Sequence, residues 1–252
     1  MAISWRTKRQ LVFFAVFGAA AGAGLWILFS QIVPEASCRD RRQNQREEGV
    51  DCGGPCAPCA TNARAPVILW TRFFQVSPGH FEAASLVENQ NQNFGAKSAS
   101  YRFRLYDAKN ILIAAKEGKT FLGPGERFVV YEPDLATFQR SPVRATLEFD
   151  PISWAIPDRE KPRILITNKA FSNDPAGRVR VELQNEGLFA VDAVDVAAVL
   201  LDAGGNAVGT SISRLERLEG EERREIFFTW RNPFVPPPDK IEVFLRVNRF
   251  QK

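Results

Sequence analysis

The side chains best suited to chemistry crowd into one short stretch of this sequence. All four cysteines, Cys38, Cys52, Cys56 and Cys59, fall there with the spacing C-x13-C-x3-C-x2-C. Two chemistries use such a set. Four thiolates can hold a tetrahedral zinc ion, and C-x-x-C is a ligand spacing. Four thiols can also close two disulfides in an oxidising compartment. Three pairings are open, and spacing does not choose among them. The same stretch carries the oxygen donors Asp40, Asn44, Glu47 and Asp51. Calcium takes such hard ligands, although the spacing is not that of an EF-hand loop and Arg41, Arg42 and Arg46 repel a cation. The expectation is two disulfides with no metal and no cofactor, and a calcium-binding loop is the alternative.

Little else in the chain can react. The single histidine, His80, follows Pro78-Gly79 in an expected turn. It has no second ligand or reactive thiol beside it in sequence, so metal or triad chemistry has no partner set. No P-loop, dinucleotide fingerprint or H-E-x-x-H is present. The acidic pairs Glu47-Glu48 and Glu221-Glu222 sit in polar runs and read as solvated faces. No catalytic residue is assigned, and the chain is expected not to be an enzyme. The formal charge is only +4, and no Lys/Arg stripe alternates with stacking aromatics. Nucleic acid is therefore not an expected partner.

The topology behind the disulfide reading comes from the N-terminus. Residues Leu11 to Val33 are apolar except for Ser30 and Gln31. At about 1.5 Å per residue this run reaches roughly 34 Å, enough to cross a bilayer core. Arg6, Lys8 and Arg9 precede it without an acid, which predicts a cytoplasmic N-terminus. Arg39, Arg41, Arg42 and Arg46 follow the run and pull the other way. The basic-then-apolar order and the cysteines beyond it favour export of the C-terminal part. Ala21-Gly22-Ala23 resembles a signal cleavage site, but the apolar run continues past it through Phe29, so an uncleaved anchor is expected. Gly18 and Gly22 form a G-x-x-x-G pair, whose small side chains predict self-association of two such helices.

Beyond the cysteines the chain repeats itself. Ala83–Asn89 matches Val179–Asn185, Phe103–Asp107 matches Ala198–Asp202, and Gly125-Glu126 matches Gly220-Glu221. The separations are 96, 95 and 95 residues, which points to duplication of one unit. Each copy reads as β-structure. Tyr101, Phe103 and Leu105 alternate with Arg102, Arg104 and Tyr106, the pattern of a half-buried strand. Further strands are predicted at Val67–Val76, Phe81–Glu88, Ile111–Ala115, Phe128–Tyr131 and Ala145–Phe149. In the second copy they are predicted at Ile164–Thr167, Val179–Gln184, Val194–Leu201, Ala207–Ser213, Glu225–Trp230 and Ile241–Val247. Six or seven short strands per copy, separated by turn residues, predict tandem immunoglobulin-like sandwiches. Asp107, Asp202, Asn89 and Asn185 are expected to cap turns through side-chain bonds to nearby backbone.

Two stretches resemble known families. The cysteine segment resembles a motif of exported bacterial proteins, C-x-D-G-I-Q-N-x-x-E-x-G-V-D-C-G-G-x-C-x-x-C. Cys38, Asp40, Gln43, Asn44, Glu47, Gly49 to Gly54, Cys56 and Cys59 match it, with Arg41 and Arg42 replacing the Gly and Ile. That resemblance implies an extracytoplasmic spacer without enzyme activity. Phe103-Arg104-Leu105-Tyr106-Asp107, with Asn89 before it and Pro124-Gly125-Glu126 after it, resembles the FxLYD-type domain, a β-sandwich of exported proteins. The second copy departs from that pattern at Ala198, Leu201 and Glu219.

The expected order is a cytoplasmic tail (1–10), a transmembrane anchor (11–33) and a Cys-rich extracytoplasmic linker (34–62). One sandwich (63–155) and a second (156–252) follow, with the prolines of 151–162 joining them. This composition predicts a single-pass envelope protein whose sandwiches act as an interaction or scaffold module for other envelope proteins. The alternative is a ligand- or calcium-binding sensor or adhesion module. Arg102, Arg104 and Tyr106, and separately Phe234 and Val235, are the exposed side chains offered as contact surfaces.

Overall fold

A computed structural model describes residues 5–32, 38–44, 46–47, 49–56 and 63–250. Residues 1–58 form one compact unit and 59–252 another, and each is treated by itself.

The first unit opens with α1 (Trp5–Ile32). Leu, Phe, Ala and Val fill it on every side, so it has no polar stripe to mark a core-facing side. Its stretch Trp5–Leu28 is long and apolar enough to cross a membrane, and none of it is buried within the protein. The helix begins six residues ahead of the apolar run, taking Arg6, Lys8 and Arg9 into its first turns. These residues are good helix formers, so nothing local stops the helix where the charge begins.

The second unit is all β. The first copy contains β1 (Val67–Ser77), β2 (His80–Glu88), β3 (Ala96–Tyr106), β4 (Leu112–Leu122), β5 (Arg127–Ala136) and β6 (Arg144–Phe149). The second contains β7 (Ile164–Ser172), β8 (Arg178–Asn185), β9 (Val191–Leu201), β10 (Ala207–Leu218), β11 (Arg223–Thr229) and β12 (Lys240–Val247). They make four antiparallel sheets, ordered β1-β2-β5, β4-β3-β6, β11-β8-β7 and β10-β9-β12. The two copies share one topology, so the expected pair of sandwiches is the observed fold.

Several strands outrun their apolar signal. Ile111–Ala115 was expected as one strand, whereas β4 continues to Leu122 through Lys116, Glu117 and Lys119. Pairing with β3 extends it: Lys116 sits opposite Phe103 and Lys119 opposite Ser100. Backbone hydrogen bonding to a buried neighbour carries polar residues into a strand that their own propensity would not form.

Each sandwich has its own core. Phe81, Phe103, Leu105, Leu122, Phe128 and Leu147 meet in the first, with Ile152 and Trp154 of the connecting segment packed against them. Val179, Leu183, Val194, Leu200, Leu218 and Phe228 meet in the second. A third cluster lies between the copies. It joins Ala84, Leu86 and Val129 on the outer side of β2 and β5 to Ala197, Val199, Leu201 and Ala207 of β9 and β10. The sheet β1-β2-β5 thus packs on both faces, and so does β10-β9-β12. This explains why Ala83 through Val87, and Val196 through Leu201, are buried without alternation.

The repeat survives in the turns. Asp107 Oδ1 accepts from the Lys109 and Ile111 amides, both at 2.9 Å, and Asp202 Oδ1 accepts from the Asn206 amide at 2.8 Å. The Asp202 carboxyl is held below its ordinary range, chiefly by that Asn206 amide. Asn89 and Asn185 are fully buried. Asn89 donates to the carbonyls of Phe94 (2.7 Å) and Gly123 (2.8 Å), and Asn185 to those of Phe189 and Glu219, both at 2.9 Å. Their Oδ1 atoms accept from the amides of Asn91 (3.1 Å) and Gly187 (2.9 Å). Both pairs therefore do the capping expected of them.

One landmark needs shifting. The Gly125 amide bonds to the Asn91 carbonyl, and its counterpart is the Glu221 amide on the Gly187 carbonyl. Gly125 therefore matches Glu221, and Glu126 matches Glu222, one residue later than the Gly-Glu dipeptides suggest. Side chains agree: Glu126 accepts from the Gly123 amide at 2.9 Å and Glu222 from the Glu219 amide at 2.7 Å. Gly125 and Glu221 both have φ of 59°.

Candidate functional site

The cysteine loop belongs to the first unit. Cys38 and Cys56 form a disulfide across 18 residues, Cys52 is also disulfide-bonded, and Cys59 lies outside the described residues. No described cysteine is free, which removes the four-thiolate zinc reading. Glu47 organises the loop between them. It is buried, and its Oε2 accepts from the amides of Asn44 (3.2 Å) and Asp51 (3.3 Å). Its Oε1 lies 3.2 Å from Cys56 Sγ, which carries no proton once oxidised.

The other calcium candidates are spent in the same way. Asp40 accepts from the Arg42 amide (2.8 Å) and the Asn44 side-chain amide (2.7 Å). These two bonds, the Arg42 amide first, hold its carboxyl below the ordinary value. Both Asp51 oxygens take the Arg41 amide at 3.1 Å. Asn44 Oδ1 is buried without a partner. One orphan oxygen does not make a calcium cage, which needs six to eight. The geometry is that of a loop folded on its own carboxylates, with Arg41, Arg46 and Asp51 at positive φ. On α1, a side chain built at Gly18 or Gly22 meets nothing within 4 Å, so that face is open.

In the second unit the offered contact faces are satisfied within the chain. Arg102 pairs with Glu117 at 2.5 Å, Arg104 pairs with Glu148, and the Arg144 guanidinium lies 4.1 Å over the Tyr106 ring. Phe234 pins the entry to β12. Its backbone is bracketed by Asn173, whose Oδ1 accepts from the Phe234 amide and whose Nδ2 donates to the Phe234 carbonyl, both at 2.8 Å. The ring packs on Trp230, 5.5 Å between centroids. A Cβ at Gly177 or Gly209 would come within 2.6 or 2.8 Å of it, so both positions must stay glycine for the ring to fit. Val235 alone remains bare, at 93% exposure. His80 pairs with Asp134 at 2.7 Å on the surface, with both side chains exposed.

Sequence reasoning did not foresee the polar site that locks the two copies together. Arg246 of β12 is buried against the first sandwich. It donates through Nη1 to Thr120 Oγ1 (3.1 Å) and through Nη2 to the Phe121 carbonyl. It stands 4.0 and 4.1 Å over the rings of Phe121 and Phe128, with Glu126 Oε2 at 3.5 Å from Nε. Desolvation lowers the guanidinium pKa, and Glu126 and Asp195 oppose that shift. Nearby, Tyr101 donates to Glu132 at 2.7 Å, and burial followed by that bond raises the phenol pKa. The one signal available was an Arg inside an apolar strand, Phe244-Leu245-Arg246-Val247. At a sheet edge it reads as solvent-facing, and only the neighbouring copy makes it buried.

No protein-family model and no curated protein matches the chain. Among solved structures, the crystal structure of red sea bream transglutaminase is similar over 72% of this chain at 10% identity and a TM-score of 0.23. The chain spans only 29% of that protein's length. The crystal structure of CBD12 from CALX1.2 is similar over 70% of this chain and 81% of its own, at 13% identity and a TM-score of 0.19. The β-sandwich class rests on the twelve strands and four sheets among the described residues.

Proposed function

We propose that this chain is a non-enzymatic, single-pass protein of the cell envelope, with its N-terminus cytoplasmic and its tandem sandwiches outside. In this reading the sandwiches form a rigid scaffold on which other envelope proteins assemble. The observation that carries the proposal is the oxidised cysteine loop shortly after an apolar helix of membrane-spanning length. Structural disulfides persist where the compartment oxidises, on the outer side of a bacterial membrane or in its eukaryotic equivalents. The basic residues ahead of the apolar run favour the same orientation. The second support is the interface between copies. A duplicated domain whose two halves share one apolar cluster and a buried Arg presents its surfaces at fixed spacing, as a scaffold requires.

Two measurements test it. Fusion of a reporter active only outside the cytoplasm to the C-terminus should give signal, and silence there sinks the orientation. A mild-detergent pull-down of the full-length protein from native membranes should recover fixed envelope partners in constant ratio. Recovery of this chain alone, as a dimer lost in Gly18→Leu or Gly22→Leu, would replace the scaffold with a self-associating module.

A further inference from the structure

The two sandwiches leave a groove between them of about 310 Å³, lined without Arg246. One wall is Phe74, Gln75 and Val76 of β1 with Tyr131 of β5; the other is Val208 to Ser211 of β10 with Thr229 to Phe234. The size is that of a small-molecule pocket, and junctions between domains are where such pockets gather. We propose that this groove binds a short neutral oligosaccharide, an activity beyond the scaffold reading and independent of it.

Four observations narrow the ligand. First, unpaired hydrogen-bonding groups converge on the groove. Thr210 is buried and its hydroxyl has no partner. Gln75 and Asn232 stand exposed at the groove's rim and the Trp230 indole nitrogen is half-buried beside it, and none of the three makes a side-chain hydrogen bond within the chain, so all are open to a ligand. Buried polar groups are normally satisfied, so an orphan in a cleft marks a place for a ligand's polar atoms. Second, Phe74, Tyr131, Trp230 and Phe234 supply aromatic surface beside those groups. A ring of C–H bonds on one face and hydroxyls at its rim matches that mixture. Third, the charges balance: Glu82 against Arg231. A phosphate or polyanionic ligand would call for excess cation. Fourth, an extended peptide fits poorly. The ladder of β1 shifts register between Gln75 and Ser77, and that of β10 between Ala207 and Gly209. Both irregularities fall at the groove and interrupt the row of backbone groups that strand addition needs.

The test uses the full-length chain in micelles of a detergent without a sugar headgroup. Maltotetraose, cellotetraose, mannotetraose and tetra-N-acetylchitotetraose are titrated, with saturation-transfer NMR and indole fluorescence as readouts. At least one should bind saturably, with Trp230→Ala weakening it about tenfold or more. Trp230 also packs on Phe234, so the exposed positions Gln75→Ala and Asn232→Ala provide the decisive comparison. Each should weaken binding roughly three- to tenfold, as loss of one hydrogen bond predicts, without moving the melting temperature. Absence of saturable binding by all four sugars overturns the proposal. So does binding that both exposed variants leave unchanged, and so does preferential binding of a threonine-rich β-strand peptide.

Discussion

The two sandwiches are copies in their turns and opposites in their faces. Both carry a buried Asn at the close of their second strand, Asn89 just after β2 and Asn185 as the last residue of β8, that bonds to equivalent backbone groups, and both turn after their third strand on an Asp. Yet the first copy gives the other its β1-β2-β5 sheet, and the second gives its β10-β9-β12 sheet, which corresponds to β4-β3-β6 of the first. The contact is therefore between unlike surfaces. The equivalent of the second copy's interface is, in the first copy, the face paired by Arg102 with Glu117 and Arg104 with Glu148. Duplication preserved what a sandwich needs to turn corners. Divergence then made one sheet apolar on its outside and covered its counterpart with ion pairs, which stops the stacking at two.

The sharpest way to break this comparison is to remove the shared buried side chains. Asn89→Ala and Asn185→Ala should each cost about 3 kcal/mol, because each strands several buried carbonyls and an amide. Equal losses in chemical denaturation support equivalence. A loss confined to one copy would show that the other's network is incidental.

Next comes the joint. Arg246→Ala should cost roughly 2–4 kcal/mol, since it leaves the Phe121 carbonyl and the Thr120 hydroxyl without their donor and the Glu126 charge without its ion-pair partner, while Arg246→Met should cost less by refilling the space between the phenyl rings. An equal cost for the two variants would say that the charge and its hydrogen bonds, not the filled volume, hold the joint.

The corrected turn alignment gives a smaller and opposite pair. Glu221→Gly should stabilise by about 0.5–1 kcal/mol by relieving a positive φ, and Gly125→Ala should destabilise by a similar amount. Failure of the two to take opposite signs would contradict the alignment.

On the outer face of the first copy, Arg102→Ala should change stability by less than about 0.5 kcal/mol, as exposed ion pairs do. Asp202 gives the smallest effect. Its folded pKa is depressed, so its contribution is present above the ordinary value of 3.8 and is lost as pH falls through the lower folded value. NMR titration should place its midpoint below 3.8, with the Asn206 amide shifting in step; a midpoint at or above 3.8 would refute the cap.

Much of this architecture is legible in the residues alone. The apolar stretch of α1, the alternation of Tyr101 to Tyr106 and the recurring Asn and Asp marks are local signals; the Asp turns close on amides within four residues, while Asn89 and Asn185 also tie down carbonyls 34 residues on. What lay beyond reading depends on contacts between distant residues. Val194 to Leu201 is a nearly continuous apolar run, which allows a strand but does not tell which second surface will cover it. Arg246 looks like an edge residue until Phe121 and Phe128, over a hundred positions earlier, close around it. The groove of Trp230 and Thr210 exists only because the copies stack. The oxygen set of the cysteine loop left calcium open as an alternative: Asp40 accepts from the Arg42 amide and Asp51 from the Arg41 amide ten residues earlier, bonds that spacing does not distinguish from ligation.

The most direct test of the account is differential scanning calorimetry of the full-length protein, wild type against Arg246→Ala. If the two copies form one block through the third apolar cluster and Arg246, the wild type unfolds its β unit in a single cooperative transition, and the variant separates into two. Two resolved transitions already present in the wild type, unchanged by the substitution, would mean that the sandwiches stand independently and that the rigid-scaffold reading is wrong.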